Sequence, residues 1–95
     1  MSGSYPDLLA DQLVLEVKVQ MARQGVPSSR ALGQLINRNS QYMSQRLDGG
    51  SATTGLRIPL NIRDLAAISA ALGILASELV RRAEAAIDSV GIETN

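Results

Sequence analysis

The segment from residue 29 to residue 47 constrains the fold most, because it holds two helical patterns that are too short to be stable alone. Each pattern covers about eight to ten residues, and helices of that length are marginal in water. The two must therefore pack on each other and on further helices. A steep crossing needs a small residue where the backbones meet, and Gly33 supplies it. At the turn, Asn37 tolerates the left-handed conformation better than any residue except glycine.

The rest of the chain is also helical in pattern. Three further stretches repeat apolar residues at helical spacing: 6–24, 62–72 and 75–90. Asn61 is expected to cap the fourth helix, with Asp64 three positions later, and Ile62 is expected to join the inward face of that helix. Strand alternation is absent, and the core residues are Leu, Ile, Val and Ala. We therefore predict one all-α domain over residues 1–95, a compact bundle of about five helices.

The stretch LGQLINRNSQYMSQRLDGG, residues 32–50, combines a Leu-Gly pair, an Asn turn, polar residues, an aliphatic Met43 and a closing Gly49. It resembles the helix-turn-helix of phage repressors and Cro, the Xre-type family. LNIRDLAAISAALGILASEL, residues 60–79, is similar to the fourth and fifth helices of that family. The resemblance covers about residues 6–82 and implies a lambda-repressor-like DNA-binding domain.

Two arginines depart from the family pattern. Arg38 and Arg46 stand where the family usually has aliphatic residues, so Leu47 is expected to take the inward role of Arg46. Four apolar anchors are expected to point into the core: Leu32, Ile36, Met43 and Leu47.

The resemblance implies that residues 39–47 enter the major groove of double-stranded DNA as the recognition helix. Its outward side chains would contact base edges: Ser40, Gln41, Tyr42, Gln45 and Arg46. Helix ends and arginines would contact phosphates: Ser28, Ser29, Arg30, Arg38, Asn39 and Arg57. Tyr42 has two interpretations. It either stays exposed, covering a base edge or donating its hydroxyl to a phosphate, or it folds back on the domain surface.

The charge of the chain is zero in total but uneven along its length. Residues 23–63 carry six arginines against one aspartate, a net charge of +5, whereas residues 1–22 and 64–95 carry −2 and −3. A basic centre between acidic flanks can orient a protein on a polyanion, although a mixed solvated surface has the same sums.

A single short recognition helix reads too few base pairs to specify a genomic site, so we expect a homodimer on a palindromic operator. One candidate pairing surface is a second apolar stripe on the first helix: Leu8, Leu15, Val19 and Ala22. The other is the helix at 75–90, with Leu79, Val80, Ala83, Ile87 and Val90. We favour the second surface, because dimer contacts in the resembling family often lie C-terminal to the recognition helix. The alternative is that both surfaces close the core of the protomer.

Other function classes lack their residues in this chain. There is no Cys and no His, and the acids are not clustered, so we predict no metal, no cofactor and no enzyme. The glycine-rich loop at 49–55 lacks the lysine of a phosphate-binding loop. Neither a membrane-spanning run nor a secretory pattern occurs, which predicts a cytoplasmic protein. The alternative function is a helical protein-interaction module, such as an antitoxin or anti-repressor.

Overall fold

A computed structural model describes residues 4–49 and 58–94, and within those ranges the chain forms five helices and no strand. The helices are α1 (Tyr5–Arg23), α2 (Ser29–Ile36), α3 (Ser40–Leu47), α4 (Ile62–Ala71) and α5 (Ala76–Thr94). The all-helical prediction is thus confirmed. α5 continues past its predicted end at 90 and includes Gly91. A glycine inside a helix costs about 1 kcal/mol relative to alanine but keeps its hydrogen bond, so it need not end the helix.

Side-chain caps begin three of the helices, and the cap predicted at Asn61 is confirmed. The cap pairs are Ser28 Oγ with the Ala31 amide at 3.0 Å, Asn39 Oδ1 with the Tyr42 amide at 2.7 Å, and Asn61 Oδ1 with the Asp64 amide at 2.7 Å. Each cap satisfies one backbone N–H that has no partner inside its helix. Between α4 and α5, Gly73 has a φ of +68°, which glycine adopts without strain.

The crossing of α2 and α3 depends on Gly33, as the sequence predicts. A Cβ at this position would lie 2.7 Å from the carbonyl oxygen of Arg38 and 2.8 Å from Cγ of Met43. The connection turns at Asn37, which has a φ of 61° and a ψ of 49°. The Arg38 amide then donates to the Gly33 carbonyl at 2.8 Å. Gly33 of α2 therefore packs closely against the backbone of the turn and against the Met43 side chain of α3.

All five helices contribute to one apolar core. Its buried members are Val14, Val17, Met21, Leu32, Met43, Leu47, Leu65, Ile68, Leu72, Leu79 and Ala83. The expected anchors Leu32, Met43 and Leu47 are buried, and Ile36 packs against the core while half-buried. The prediction for Ile62 was wrong, because its side chain is 80% exposed. At 100° per residue Ile62 lies roughly 60° from Leu65, on the side of α4 away from Ile68. This angle places Ile62 at the margin of the buried face.

Gln20 connects three helices through a buried amide. Its Nε2 donates to the Leu72 carbonyl at the end of α4, at 3.1 Å, and its Oε1 accepts from Arg82 of α5 at 3.5 Å. At the other end of α1, Tyr5 lies beside Glu84 and Asp88. Partial burial raises the pKa of Tyr5, and these two carboxylates raise that pKa further. α1 and α5 therefore pack in opposite directions. No helix of the described residues has the length and apolar character needed to cross a membrane.

Candidate nucleic-acid interface

The solvent-facing side of α3 carries short, uncharged polar side chains. Ser40, Gln41 and Ser44 are exposed, whereas Met43 and Leu47 are buried on the opposite side. Gln45 is half-buried, because the segment before α4 runs along the last turn of α3. There the Ile58 amide donates to the Gln45 carbonyl at 3.0 Å, which gives a partner to a carbonyl that has none inside the helix.

A buried carboxylate, Asp64, joins α3 to the start of α4. Its side chain is 2% exposed and accepts a hydrogen bond from the Tyr42 hydroxyl at 2.6 Å. Nε of Arg38 donates to its Oδ1 at 3.4 Å. Nε of Arg46 lies 3.5 Å from its Oδ2, which is within ion-pair range, although this N–H makes no hydrogen bond in the described residues. We call Asp64, Tyr42, Arg38 and Arg46 the Asp64 cluster. Its two guanidinium groups outnumber its one carboxylate, so the cluster carries a net charge of +1.

The side chain of Tyr42 folds back on the domain surface, which was the second of the two interpretations. Its side chain is half-buried, and its hydroxyl is bonded to Asp64 within the domain. The ring is stacked by Arg46, whose guanidinium carbon is 3.5 Å from the ring centroid, while that of Arg38 is 5.9 Å away. An aromatic ring in this polar stretch thus supports two cations beside a buried acid.

The buried acid gives Arg38 and Arg46 a role inside the domain. Both Arg38 and Arg46 turn toward Asp64, where an aliphatic side chain would leave the carboxylate without a counter-charge. Nη1 of Arg46 also donates to the Tyr42 carbonyl at 3.1 Å, and its side chain is only 15% exposed. Leu47 is fully buried and takes the inward role predicted for it.

The predicted phosphate contacts fall in different environments. Ser28, Arg30 and Asn39 are exposed, and Arg38 is half-buried within the Asp64 cluster. Ser29 is buried, so only its backbone can offer a donor at the start of α2. Arg57 lies outside the described residues. The hydroxyl of Ser28 and the amide oxygen of Asn39 are already used as helix caps.

The structure adds three residues that the sequence reasoning did not select. Ser44 is exposed beside Ser40, and helical spacing alone places it there, one turn further along α3. Arg63 is exposed on the first turn of α4 and lines an open cleft of about 580 Å³ together with Arg38 and Tyr42. Its signal was a cation two positions after the Asn61 cap, on the first turn of the predicted helix. Asp64 had no such signal, because it looks like an ordinary first-turn acid.

The two candidate pairing surfaces differ in their exposure to solvent. On α5, Leu79 and Ala83 are buried, and Val80 and Ile87 are half-buried, while Val90 lies outside the residues whose side chains are described. On α1, the second stripe is open to solvent, with Leu8, Leu15, Val19 and Ala22 all exposed. α5 therefore uses most of its apolar stripe inside the protomer, and α1 does not.

No group of three or more metal-ligating side chains occurs among the described residues. Comparison with models of protein families, with curated proteins and with solved structures found no match to this chain.

Proposed function

We propose that this protein is a sequence-specific regulator that binds double-stranded DNA, with α2 and α3 acting as a helix-turn-helix. α3 would lie in the major groove and present Ser40 and Gln41 to the base edges. The observation that carries the proposal is the outer face of α3. This face is polar and uncharged, and its side chains Ser40, Gln41 and Ser44 are exposed.

Phosphate contacts would come from cations on both sides of α3. Arg30 on the first turn of α2 and Arg63 on the first turn of α4 are exposed, and neither pairs with an acid among the described residues. The Asp64 cluster adds a net positive charge between them. Backbone N–H groups at the start of α2 would supply a neutral donor site for a phosphate oxygen.

The test is selection of bound sequences from random duplexes, followed by measurement of affinity for the selected site. Gln41→Ala should weaken binding by about 1–3 kcal/mol and relax the preference at one base position. Gln24→Ala, which removes the same side chain from the exposed end of α1, is the matched control and should leave the preference unchanged. Equal loss on the selected site and on random DNA would count against base reading by Gln41.

A protein-interaction module is the second candidate, and the exposed apolar side chains favour it. Leu35 and Leu75 are more than half exposed, as is Ile62 at the cleft beside Arg63. An antitoxin or anti-repressor would use such residues on a protein partner. A gel shift at low and at moderate salt separates the candidates, because only a DNA-binding protein retains a specific shift at moderate salt.

We further propose that the regulator binds a palindromic site as a homodimer. We propose the outer stripe of α1, rather than α5, as the pairing surface, because α5 packs most of its apolar residues inside the protomer. An antiparallel pair of α1 helices would bring Asp7, near the start of one helix, toward Arg23, at the end of the other.

A further inference from the structure

We infer that Asp64 withholds Arg46 from the DNA bases and thereby gives the recognition helix a preference for adenine over guanine. The inference rests on the proposed DNA-binding function and names the class of sequence that the same surface would select. It is carried by the contacts of Arg46 and by the residues left exposed on α3.

The guanidinium of Arg46 is held by three neighbours. Its carbon lies 3.5 Å from the centroid of the Tyr42 ring, and Nη1 donates to the Tyr42 carbonyl at 3.1 Å. Nε is 3.5 Å from the Asp64 carboxylate, which is 2% exposed. A bidentate contact with guanine needs two parallel N–H groups directed at O6 and N7. Arg46 can present them only by leaving the ring, the carbonyl and the carboxylate.

Moving Arg46 to a base would also take one positive partner away from the buried Asp64 carboxylate. Asp64 would keep only Arg38 and the Tyr42 hydroxyl as partners in a buried position, and weakening the ion pairing of a buried carboxylate is costly. The direction of the side chain opposes the move as well, since Arg46 lies roughly 140° around α3 from Gln41 at 100° per residue.

The exposed side chains of α3 are the groups that remain available to contact DNA bases. Ser40 and Ser44 are hydroxyls, which pair with any base, and Gln41 is an amide, which pairs best with adenine through N6 and N7. No cation is exposed on this helix: its only one, Arg46, is engaged. The expected half-site therefore has an adenine opposite Gln41 and no guanine read by an arginine of α3.

The experiment selects sequences from random duplexes with four proteins: wild type, Arg46→Met, Asp64→Asn and the double variant. Methionine keeps an unbranched apolar stem and removes the guanidinium. Arg46→Met should therefore select the same sequence as the wild type, whereas Gln41→Ala, run beside it, should lose the adenine. Asp64→Asn removes the charge that holds Arg46, so a new guanine preference of roughly tenfold should appear. That preference should vanish in the double variant.

Two results would overturn the inference while leaving the DNA-binding function intact. One is a wild-type site containing a guanine whose preference falls about tenfold in Arg46→Met. The other is an Asp64→Asn variant that is folded by circular dichroism yet selects the wild-type sequence. Where Asp64→Asn does not fold, the comparison of wild type with Arg46→Met decides alone. A wild type that enriches no sequence would overturn both the inference and the proposed function.

Discussion

Gly33 shows how a single missing methyl group allows two short helices to cross. Alanine is the better helix former by about 1 kcal/mol, so replacing an exposed helical glycine with alanine usually stabilises a protein. At Gly33 the added Cβ meets a backbone oxygen at 2.7 Å, and the backbone cannot yield as a flexible side chain would. The steric effect should exceed the helix propensity and reverse the sign.

We expect Gly33→Ala to lower the free energy of unfolding by about 1–3 kcal/mol, the usual cost of overpacking a core. Urea unfolding followed by circular dichroism measures it. Gln34→Ala, at the exposed next position of α2, is the control and should change the stability by less than about 0.5 kcal/mol. A Gly33→Ala protein as stable as the wild type would mean that α2 and α3 do not approach as closely as described.

Asp64 and Asp48 offer the same substitution in two environments. Asp64 is 2% exposed and has three partners, whereas Asp48 pairs with Lys18 at 3.3 Å with both side chains over 40% exposed. Asp64→Asn should lower the free energy of unfolding by about 2–3 kcal/mol, discounted from a fully buried pair because the two arginines reach solvent. Asp48→Asn should cost less than about 0.5 kcal/mol. Equal losses in urea unfolding would contradict the difference in burial.

Among the described residues, Glu78 on α5 is the carboxylate whose pKa is strongly lowered. Hydrogen bonds from Arg81 at 2.7 Å and from Arg82 at 2.9 Å lower the pKa of Glu78 to about 2. A group with a lowered pKa in the folded state stabilises it above the ordinary pKa, and the contribution is lost as pH falls through the folded value. For Glu78 that window runs from an ordinary value of 4.5 down to about 2.

Glu78→Gln should therefore lower the unfolding midpoint at pH 7 by a small amount, because the group is solvent-accessible and exposed ion pairs contribute little. The difference from the wild type should shrink as pH falls below 4.5 and disappear near pH 2. Thermal unfolding of both proteins across this range measures it. A difference that stays constant with pH would show that the ion pairs on α5 do not contribute.

For the whole molecule, the distribution of charge predicts how salt affects binding. If about four phosphates are neutralised by each protomer, log affinity should fall with log salt at a slope of about −3 to −4 per protomer. Arg30→Ala should reduce the magnitude of the slope by about 0.9 without changing the preferred sequence. Arg81→Ala, on α5 and paired with Glu78, is the matched control. An unchanged slope in Arg30→Ala would place Arg30 away from the DNA backbone. The same expectation for Arg57 concerns a residue outside the described ranges.

Pairing of two protomers is tested by charge on the outer stripe of α1. Leu15 is 51% exposed at the centre of that stripe, so Leu15→Asp should give a folded monomer with weaker affinity for a palindromic site. Leu75→Asp, at an exposed leucine elsewhere, should leave pairing intact. Ile87→Asp should instead destabilise the protomer, because Ile87 is half-buried on α5. Sedimentation decides: a wild type that is monomeric both in solution and on its selected DNA would refute pairing.

The starts of α2, α3 and α4 were determined by the sequence itself, because each depends on a residue next to it. Ser28, Asn39 and Asn61 cap the helices they precede, and each cap is a bond to an amide only three residues away. Gly33 and Asn37 meet requirements of backbone geometry that hold wherever such a crossing occurs. Local chemistry of this kind can be read before the chain is folded.

The partners of the polar side chains on α3 were determined only by the tertiary structure. The bond from Tyr42 to Asp64 spans 22 residues, and that from Gln20 to the Leu72 carbonyl spans 52. Such pairs form only when α4 packs beside α3 and α1, and no local sequence pattern predicts them. The same docking leaves Ile62 in solvent and turns Arg46 inward. Helical spacing identifies the face of a helix on which a residue lies, but the partner that reaches this face depends on the packing of helices distant in sequence.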